Sequence, residues 1–245
     1  MMAVVRSVIT YVAVILYILV AGPLGLVIAV LFRGKGLLYA LGHGGVWLAL
    51  RLAGIRYRVI GRENIPPVAV VFCSNHESNV DPPVLFEVLH RRLHILYKAE
   101  LRRFPIMKTV FDVGGFVPVD RLDRERAMAS ISRGAASLRA GNSFLIFPEG
   151  TRSRDGRLLP FKKGGFIMAL EAQAPIVPVA VQGGRDAMRK GSAVVRPVTV
   201  TVRIGKPVPT SGLTIDDRDA LIERVRTEVQ QLLLEGARDQ ASWSR

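Results

Sequence analysis

The sequence predicts an α/β fold: a single catalytic domain with a mostly buried sheet, flanked by helices on both faces and preceded by an apolar N-terminal two-helix membrane segment. Two observations support the sheet. Short apolar runs at 68–73, 143–147 and 176–181 are typical of buried strands, and amphipathic helical segments separate them. A third observation is the absence of acidic residues from 1–50. We therefore expect membrane-embedded helices in 1–50 and the globular domain in 51–245.

The N-terminal part contains two apolar segments. Residues 8–32 carry no charge and are long enough to cross a bilayer core, although Gly22 and Pro23 interrupt the middle and allow a kinked or shallow helix. The run is also longer than the core of a cleaved signal peptide. The second segment, 37–50, is short for a span and favours an interfacial or re-entrant helix. We expect the pair to be embedded in the membrane, either spanning it or forming a hairpin in one leaflet.

The remainder alternates between strand and helix patterns. Strands are predicted at 56–61, 68–73, 93–98, 114–121, 143–147, 176–181 and 197–204. Helices are predicted at 84–89, 106–111, 123–140, 164–173 and 214–235. Asp81 and Asp123 are expected to be N-caps, and Thr214 with Asp217 has the spacing of a capping box. The polar tail from Gly236 is expected to be frayed.

The charge balance indicates anionic partners. The formal net charge is +14, from 34 Lys and Arg against 20 Asp and Glu. Such a surface suits lipid headgroups, phosphates or nucleic acid. Nucleic-acid binding is disfavoured because the basic residues are not interleaved with stacking aromatics and because the N-terminus is apolar.

Cysteine and histidine usage argues against a metal site. The one cysteine, Cys73, excludes an internal disulfide and any Cys-rich zinc site. The four histidines, His43, His76, His90 and His94, lack metal-ligand spacing, and His43 is expected at the headgroup level. Cys73 could pair with His76 as a nucleophile, but it ends an apolar strand, which favours a buried thiol.

The polar stretch 74–83 has the strongest functional pattern. His76 follows a buried strand and Asp81 opens the next helix, which is where α/β sheets bind ligands. A loop between them allows the two side chains to meet. A carboxylate on one imidazole nitrogen fixes the tautomer and leaves the other nitrogen as a base. The alternative is that His76 is a turn histidine and Asp81 only a helix cap.

Three other predicted strand ends carry charged residues: Lys98 with Glu100, Asp120 with Arg121, and the segment 149–152. If all these strands share one sheet, Lys98, Arg121 and Arg152 converge and can hold a phosphate, with backbone N–H groups around Gly150 assisting. Each cation could instead be a solvated surface charge.

The sequence offers no convincing nucleophile. Ser78 could approach His76, but the pattern of a nucleophile elbow is missing around it. A base without a nucleophile predicts direct transfer, in which His76 takes a proton from a substrate hydroxyl that then attacks an activated carbonyl.

Four motifs resemble those of one family. The run from Asn75 to Asp81 resembles the NHxSxxD signature of the glycerolipid acyltransferases, the 1-acylglycerol-3-phosphate acyltransferases. Segments 115–121, 147–153 and 176–180 are similar to the second, third and fourth blocks of that family. All four occur in the family's order, which makes the resemblance specific.

The resemblance implies transfer of a fatty acyl group from acyl-CoA or acyl-carrier protein to the sn-2 hydroxyl of lysophosphatidic acid, giving phosphatidic acid. It implies that His76 is the general base, that Asp81 orients it, and that Ile176 to Pro178 shape the acyl pocket or hold the sheet. Because a thioester is already activated, we expect no metal or other cofactor. The residues implied in binding the acceptor are Lys98, Arg121, Glu149, Gly150, Thr151 and Arg152.

Several points extend this hypothesis. The glycines in 162–165 could supply N–H groups to an oxyanion. We expect the catalytic domain on the cytoplasmic face, where acyl donors are, with membrane lipids as partners. The same chemistry on another acceptor, such as a lyso-ornithine lipid or a lysophospholipid, is an alternative. A non-catalytic basic protein that binds anionic membrane surfaces is a second.

Overall fold

The computed structural model describes residues 1–31, 36–89, 93–120 and 123–243. A sheet of seven strands forms its centre, in the spatial order β1-β7-β6-β2-β5-β3-β4. Strands β2 to β6 are parallel to one another, whereas β7 is antiparallel to β6, and β1 is parallel to β7. The strands are β1 (Arg56–Ile60), β2 (Val71–Ser74), β3 (Leu93–Lys98), β4 (Val117–Val119), β5 (Ser143–Ile146), β6 (Ile176–Gln182) and β7 (Thr199–Ile204).

Helices cover both faces of this sheet, which confirms the predicted fold class. They are α1 (Met2–Leu31), α2 (Gly36–Ala53), α3 (Asp81–Val88), α4 (Pro105–Gly114), α5 (Arg124–Arg139), α6 (Gly164–Ala172), α7 (Gly184–Ala187) and α8 (Arg218–Trp243). The buried side chains form two clusters, one between the sheet and α2 with α3, the other between the sheet and α5, α6 and α8.

The alternation of side chains in β2 and the residue before it explains why the run is apolar throughout. Val70 and Phe72 belong to the first cluster, whereas Val71 and Cys73 belong to the second. Because neighbouring side chains point to opposite faces and both faces are covered, every position must be apolar. All four residues are fully buried.

Helix ends agree with the sequence in two places. The Asp123 carboxylate accepts a hydrogen bond from the backbone N–H of Arg126 at 3.0 Å. Thr214 and Asp217 form the predicted capping box, which opens the 3-10 turn before α8.

Two predictions about helix ends are wrong. Asp81 is the first residue of α3 rather than its N-cap, a position that Val80 occupies. The tail after Gly236 is not frayed, because α8 continues to Trp243. Gly236 packs so closely on Gln182 that a Cβ atom would overlap its side chain, and an ion pair between Arg203 and Asp239 holds the following turn.

The N-terminal helices form an antiparallel pair. The Tyr17 hydroxyl donates to the carbonyl of Leu41 at 2.8 Å, and its ring packs where Gly44 and Gly45 have no side chain. Within the described residues, only the stretch from Met2 to Ile28 is long and apolar enough to cross a membrane. Helix α1 is continuous through Pro23.

Helix α2 joins this pair to the globular domain. His43, which we expected at the headgroup level, lies 3.2 Å from a carboxylate oxygen of Glu87 in α3 and stacks on Phe86. The Tyr39 hydroxyl donates to the carbonyl of Gly114 at 2.9 Å. His94 is buried among aromatic rings, and His90 lies outside the described residues.

Candidate active site

The loop between β2 and α3 brings His76 and Asp81 together. His76 Nδ1 lies 3.0 Å from Asp81 Oδ2. The same oxygen accepts the backbone N–H groups of Glu77 and Ser78, each at 2.8 Å. Asp81 is fully buried, whereas 16% of the His76 side chain is exposed. A carboxylate in this position accepts the Nδ1 proton, so Nε2 is left as the basic nitrogen.

The fold fixes the position of His76 from several sides. Its ring stacks on Phe147, with 4.2 Å between ring centroids. Its carbonyl accepts the backbone N–H of Ser153 at 2.8 Å. The preceding Asn75 side chain exchanges two hydrogen bonds with the backbone of Val181, at 2.9 and 2.7 Å, and so attaches the loop to β6.

Glu149 supports the same loop from beneath. One carboxylate oxygen accepts the backbone N–H of His76 at 2.7 Å, and the other accepts that of Leu159 at 2.9 Å. Only 4% of Glu149 is exposed, and this burial raises the pKa of its carboxyl, while the two backbone hydrogen bonds act in the opposite direction. The side chain predicted to contact the acceptor is therefore bonded to the backbone through both oxygens.

Neither candidate nucleophile is placed to attack a substrate. The Ser78 hydroxyl is buried and donates to the carbonyl of Met188 at 2.8 Å. Cys73 is fully buried, and burial raises the pKa of its thiol far above the usual range. Since the neutral thiol is a poor nucleophile, the arrangement favours His76 acting on a substrate hydroxyl.

A cavity of about 540 Å³ opens beside His76. Its lining mixes polar and apolar residues. The polar or charged part includes Gly150, Thr151, Arg152 and Lys162, and the apolar part includes Leu96, Ile131, Ile146, Phe147 and Ile167.

Arg152 presents the clearest anion-binding group in this cavity. Its Nη1 atom is buried and has no hydrogen-bond partner among the described residues. A buried guanidinium N–H without an acceptor is costly, and phosphate is the ligand it suits best. The Lys190 ammonium donates to the Arg152 carbonyl at 2.8 Å and to the Thr151 hydroxyl at 3.1 Å, which fixes the backbone of this loop.

Lys162 is a cation of this site that sequence reasoning missed. Its ammonium lies beside Gly150, where an added Cβ atom would be 2.9 Å from Nζ. The backbone N–H of Lys162 donates to the carbonyl of Pro148 at 2.8 Å, which folds the chain back over the loop. The neighbouring Gly164 and Gly165 also line the cavity. Only the basic pair next to two glycines marked this segment in the sequence.

Of the two other predicted cations, Lys98 and Arg121, the structure describes only the backbone of Lys98. Lys98 is the last residue of β3 and is paired with Val119 of β4, so its backbone lies at the expected edge of the sheet. Tyr97 and Asp120 beside these strand ends line the cavity. The side chain of Lys98 and the whole of Arg121 lie outside the described residues.

In the part of the chain that the structure describes, no group of three or more His, Cys, Asp or Glu side chains could hold a metal ion. The expectation that the reaction needs no cofactor stays a prediction.

Glu77, next to His76, is a third buried carboxyl in this region, besides Asp81 and Glu149. Only 9% of the residue is exposed, and it lines a second cavity of about 490 Å³. Burial, and then the charge of Asp81, raises the pKa of Glu77 to about 7, while backbone N–H groups of Arg185 and Gly184 oppose the shift. The folded protein therefore holds this proton at a pH where the unfolded chain releases it.

Glu77→Gln should remove a pH dependence of stability. Since the folded pKa of about 7 exceeds the ordinary value of 4.5, wild-type stability falls as the pH rises through this interval. We expect Glu77→Gln to gain about 2 kcal/mol relative to wild type between pH 5 and pH 8. Urea unfolding in detergent at both pH values measures this gain. Parallel losses in the two proteins would contradict the assignment.

The fold and the site together define an α/β enzyme with a His–Asp pair at the carboxyl edge of its parallel strands. Comparison with known proteins specifies the family. The acyltransferase family model matches residues 56–182, slightly more than half of the chain and the whole region from β1 to β6.

Named acyltransferases are similar to this chain beyond the region that the family model covers. The chain is 34% identical over 191 residues to a 1-acyl-sn-glycerol-3-phosphate acyltransferase of Limnanthes douglasii, covering 78% of this chain and 67% of that protein. It is 37% identical over 177 residues to the alpha form from Homo sapiens, covering 71% and 62%. The crystal structure of the 1-acyl-sn-glycerophosphate acyltransferase PlsC from Thermotoga maritima matches with a TM-score of 0.80 at 25% identity, over 95% of both chains.

The chain belongs to the acyltransferase family, that of the 1-acylglycerol-3-phosphate acyltransferases, as its four motifs predicted. The apolar helix α1 is consistent with membrane association.

Proposed function

We propose that this enzyme transfers a fatty acyl group from acyl-CoA or acyl-carrier protein to the sn-2 hydroxyl of 1-acylglycerol-3-phosphate, giving phosphatidic acid. The observation that carries the proposal is the His76–Asp81 pair beside a cavity lined by apolar side chains and by Arg152, whose buried Nη1 has no hydrogen-bond partner among the described residues. The activity named for the relatives agrees with it.

The reaction is a direct transfer with His76 as general base. Nε2 of His76 takes the proton of the acceptor hydroxyl, and the oxygen attacks the thioester carbonyl. The tetrahedral intermediate collapses, the thiolate leaves, and it receives the proton from the imidazolium. Asp81 stabilises the imidazolium through its 3.0 Å contact with Nδ1. A base of this kind contributes about 10²–10⁴-fold.

The acceptor phosphate is bound by Arg152 and Lys162 in this proposal, and Lys98 and Arg121 join them as predicted from the sequence. Backbone groups of Gly150 and Thr151 line the same cavity. Glu149 acts as a positioning residue, because its carboxylate holds the backbone of the His76 loop.

The oxyanion of the intermediate requires hydrogen-bond donors. Gly164 and Gly165 line the cavity in the first turn of α6, where backbone N–H groups lack helical acceptors. We assign these groups to the oxyanion. Ile176 and Val177 are fully buried in β6 and act by holding the sheet.

We place residues 1–50 in the membrane and the domain 51–245 on the cytoplasmic face, where acyl donors are available. Helix α1 carries exposed apolar side chains along most of its length, including Val8, Leu16 and Leu19. Burial of this surface in lipid removes it from water. The catalytic edge then meets the lipid acceptor at the bilayer surface.

Arg152→Ala is expected to raise the KM for the phosphate-bearing acceptor by about 10–100-fold, because a charge-assisted hydrogen bond contributes about 1.5–3 kcal/mol. The KM for the acyl donor should stay within about twofold of wild type, since the proposal assigns Arg152 to the acceptor phosphate and not to the donor. Steady-state kinetics with each substrate varied in turn measure both constants. Arg224→Ala, an exposed position in α8, is the matched control. Equal effects on donor and acceptor would contradict the phosphate role.

The acceptor itself can be identified with purified protein in detergent, one acyl-CoA and a panel of lyso-acceptors. We expect turnover to be fastest with lysophosphatidic acid and much slower with monoacylglycerol, which lacks the phosphate. Preference for a lyso-ornithine lipid or lysophosphatidylcholine would transfer the proposal to that acceptor. A folded protein that turns over none of them would favour a binding function instead.

A further inference from the structure

A third cavity, of about 500 Å³, lies where the membrane helices meet the globular domain. It is formed by the first turns of α1, the end of α2, the start of β1 and the segment leading into β7. Its lining residues are Arg6, Arg51, Gly54, Ile55, Arg56, Pro197, Val198 and Thr199. The His76 site shares none of these residues.

The cavity is strongly cationic. Arg6, Arg51 and Arg56 come from three different elements and line the same space, and the described residues that line it include no acidic side chain. Within the described ranges, none of the three guanidinium groups has a carboxylate partner or a hydrogen bond. Three planar donor groups without an acceptor are suited to a phosphate, which they can bind in bidentate fashion.

Specific contacts build this cavity. Gly54 has a φ of 72°, and the Arg6 guanidinium lies over its Cα in space that a side chain would fill. The Ser7 hydroxyl accepts the backbone N–H of Val195 at 2.8 Å and donates to the carbonyl of Ala3 in its own helix at 2.7 Å. The Tyr11 hydroxyl donates to the carbonyl of Ala193 at 2.6 Å. The start of α1 is thereby held against the domain, with Arg6 directed at the cavity.

The cavity lies on the same edge of the sheet as His76. Strand β1 begins opposite the start of β7, and β7 is antiparallel to β6, so both starts lie at the carboxyl edge of the parallel strands. Three strand spacings separate β1 from β2, which is about 14 Å. A domain whose catalytic edge faces the bilayer therefore turns this cavity toward the same bilayer.

We propose that the cavity formed by Arg6, Arg51 and Arg56 binds the phosphate group of an anionic bilayer phospholipid, separately from the acceptor site. The source is a lipid because the cavity adjoins the membrane helix. Val4, Val5, Val8 and Ile9, on the same turns of α1 as Arg6, are each more than half exposed. These apolar side chains lie where the acyl chains of a lipid held by its phosphate would run. The bound lipid fixes the orientation of the catalytic edge.

The test uses thermal unfolding of the full chain in neutral detergent micelles, without any acyl-transfer readout, so its outcome is independent of the proposed function. Dioctanoyl phosphatidylglycerol and inorganic phosphate are titrated separately, and the rise in Tm is recorded. The test variant is Arg51→Gln/Arg56→Gln, at two exposed positions. Arg224→Gln/Arg238→Gln removes the same charge from exposed positions of α8 and is the control.

We expect the phosphatidylglycerol concentration for half of the Tm rise to increase about tenfold in Arg51→Gln/Arg56→Gln and to stay unchanged in the control. Arg51→Lys/Arg56→Lys should recover part of the loss, because charge returns without the planar fork. Inorganic phosphate should give little rise at the same concentrations. A rise with inorganic phosphate that equals the lipid's and disappears in the test variant would overturn the lipid as source. Equal responses of test and control variants would overturn the site.

Discussion

His76→Ala should lower kcat for acyl transfer by about 10²–10⁴-fold, because Nε2 is the base to which the acceptor hydroxyl loses its proton. The fold should survive the change. Asp81 Oδ2 keeps two backbone N–H donors, those of Glu77 and Ser78, after the imidazole is removed. The buried carboxylate is thus not left without partners, which is the condition that makes such truncations strongly destabilising.

The measurement is the steady-state kcat with one acyl donor at a saturating concentration of acceptor, together with the Tm of each protein. His43→Ala is a closely matched control, because His43 also stacks on a phenylalanine ring, that of Phe86, and also pairs with a carboxylate, that of Glu87. It lies on α2, away from the cavity, and should turn over at close to the wild-type rate. Wild-type-like turnover in His76→Ala would remove the general-base mechanism.

The sheet and the order of its elements could be predicted from local pattern. Fully apolar runs such as the one ending at Cys73 occur where a strand is covered on both faces, and this requirement is visible in single residues. The same holds for caps made by neighbours in sequence, such as Asp123 with the N–H of Arg126. Interactions within four residues leave a clear trace in the sequence.

Features that depend on distant contacts could not be predicted. The tail from Gly236 was expected to be frayed, yet α8 continues through it, with the side chain of Gln182 from β6 packed against the glycine. Lys162 lines the site, and its backbone N–H donates to the carbonyl of Pro148, fourteen residues earlier in the chain. Glu149 was expected to contact substrate, and nothing in the sequence indicates that both its oxygens accept backbone N–H groups.

The pairing of His76 with Asp81 was predictable from the sequence in one respect and not in another. The sequence indicated that a loop could let the two side chains meet, because a five-residue step along one helix would turn them apart. It did not indicate why the carboxylate stays in place. The structure supplies the reason. Asp81 is the first residue of α3, and its Oδ2 atom is held by three groups at once: His76 Nδ1 and the backbone N–H groups of Glu77 and Ser78.

Asp81→Asn should lower kcat by as much as the base contributes, about 10²–10⁴-fold, with little change in either KM, because the neutral amide no longer fixes the tautomer of the imidazole or stabilises the imidazolium that forms during transfer. The change also costs stability. Asp81 Oδ1 is buried, has no hydrogen-bond partner in the part of the chain that the structure describes, and lies against Gly184, so an NH₂ group placed there is unsatisfied. We expect a loss of about 1–3 kcal/mol in unfolding free energy.

Asp112→Asn is the control for the chemistry of the substitution, because Asp112 is an exposed carboxylate of α4 that pairs with Arg102 and does not line the cavity beside His76. It should leave kcat unchanged. The loss of kcat and the loss of stability in Asp81→Asn can be separated by temperature. Well below Tm the variant is fully folded, so any loss of kcat measured there is not caused by unfolding. Activity that returns to the wild-type value under those conditions would mean that Asp81 only supports the loop. A persistent loss of kcat with unchanged KM values would identify Asp81 as the group that orients His76 and stabilises its protonated form.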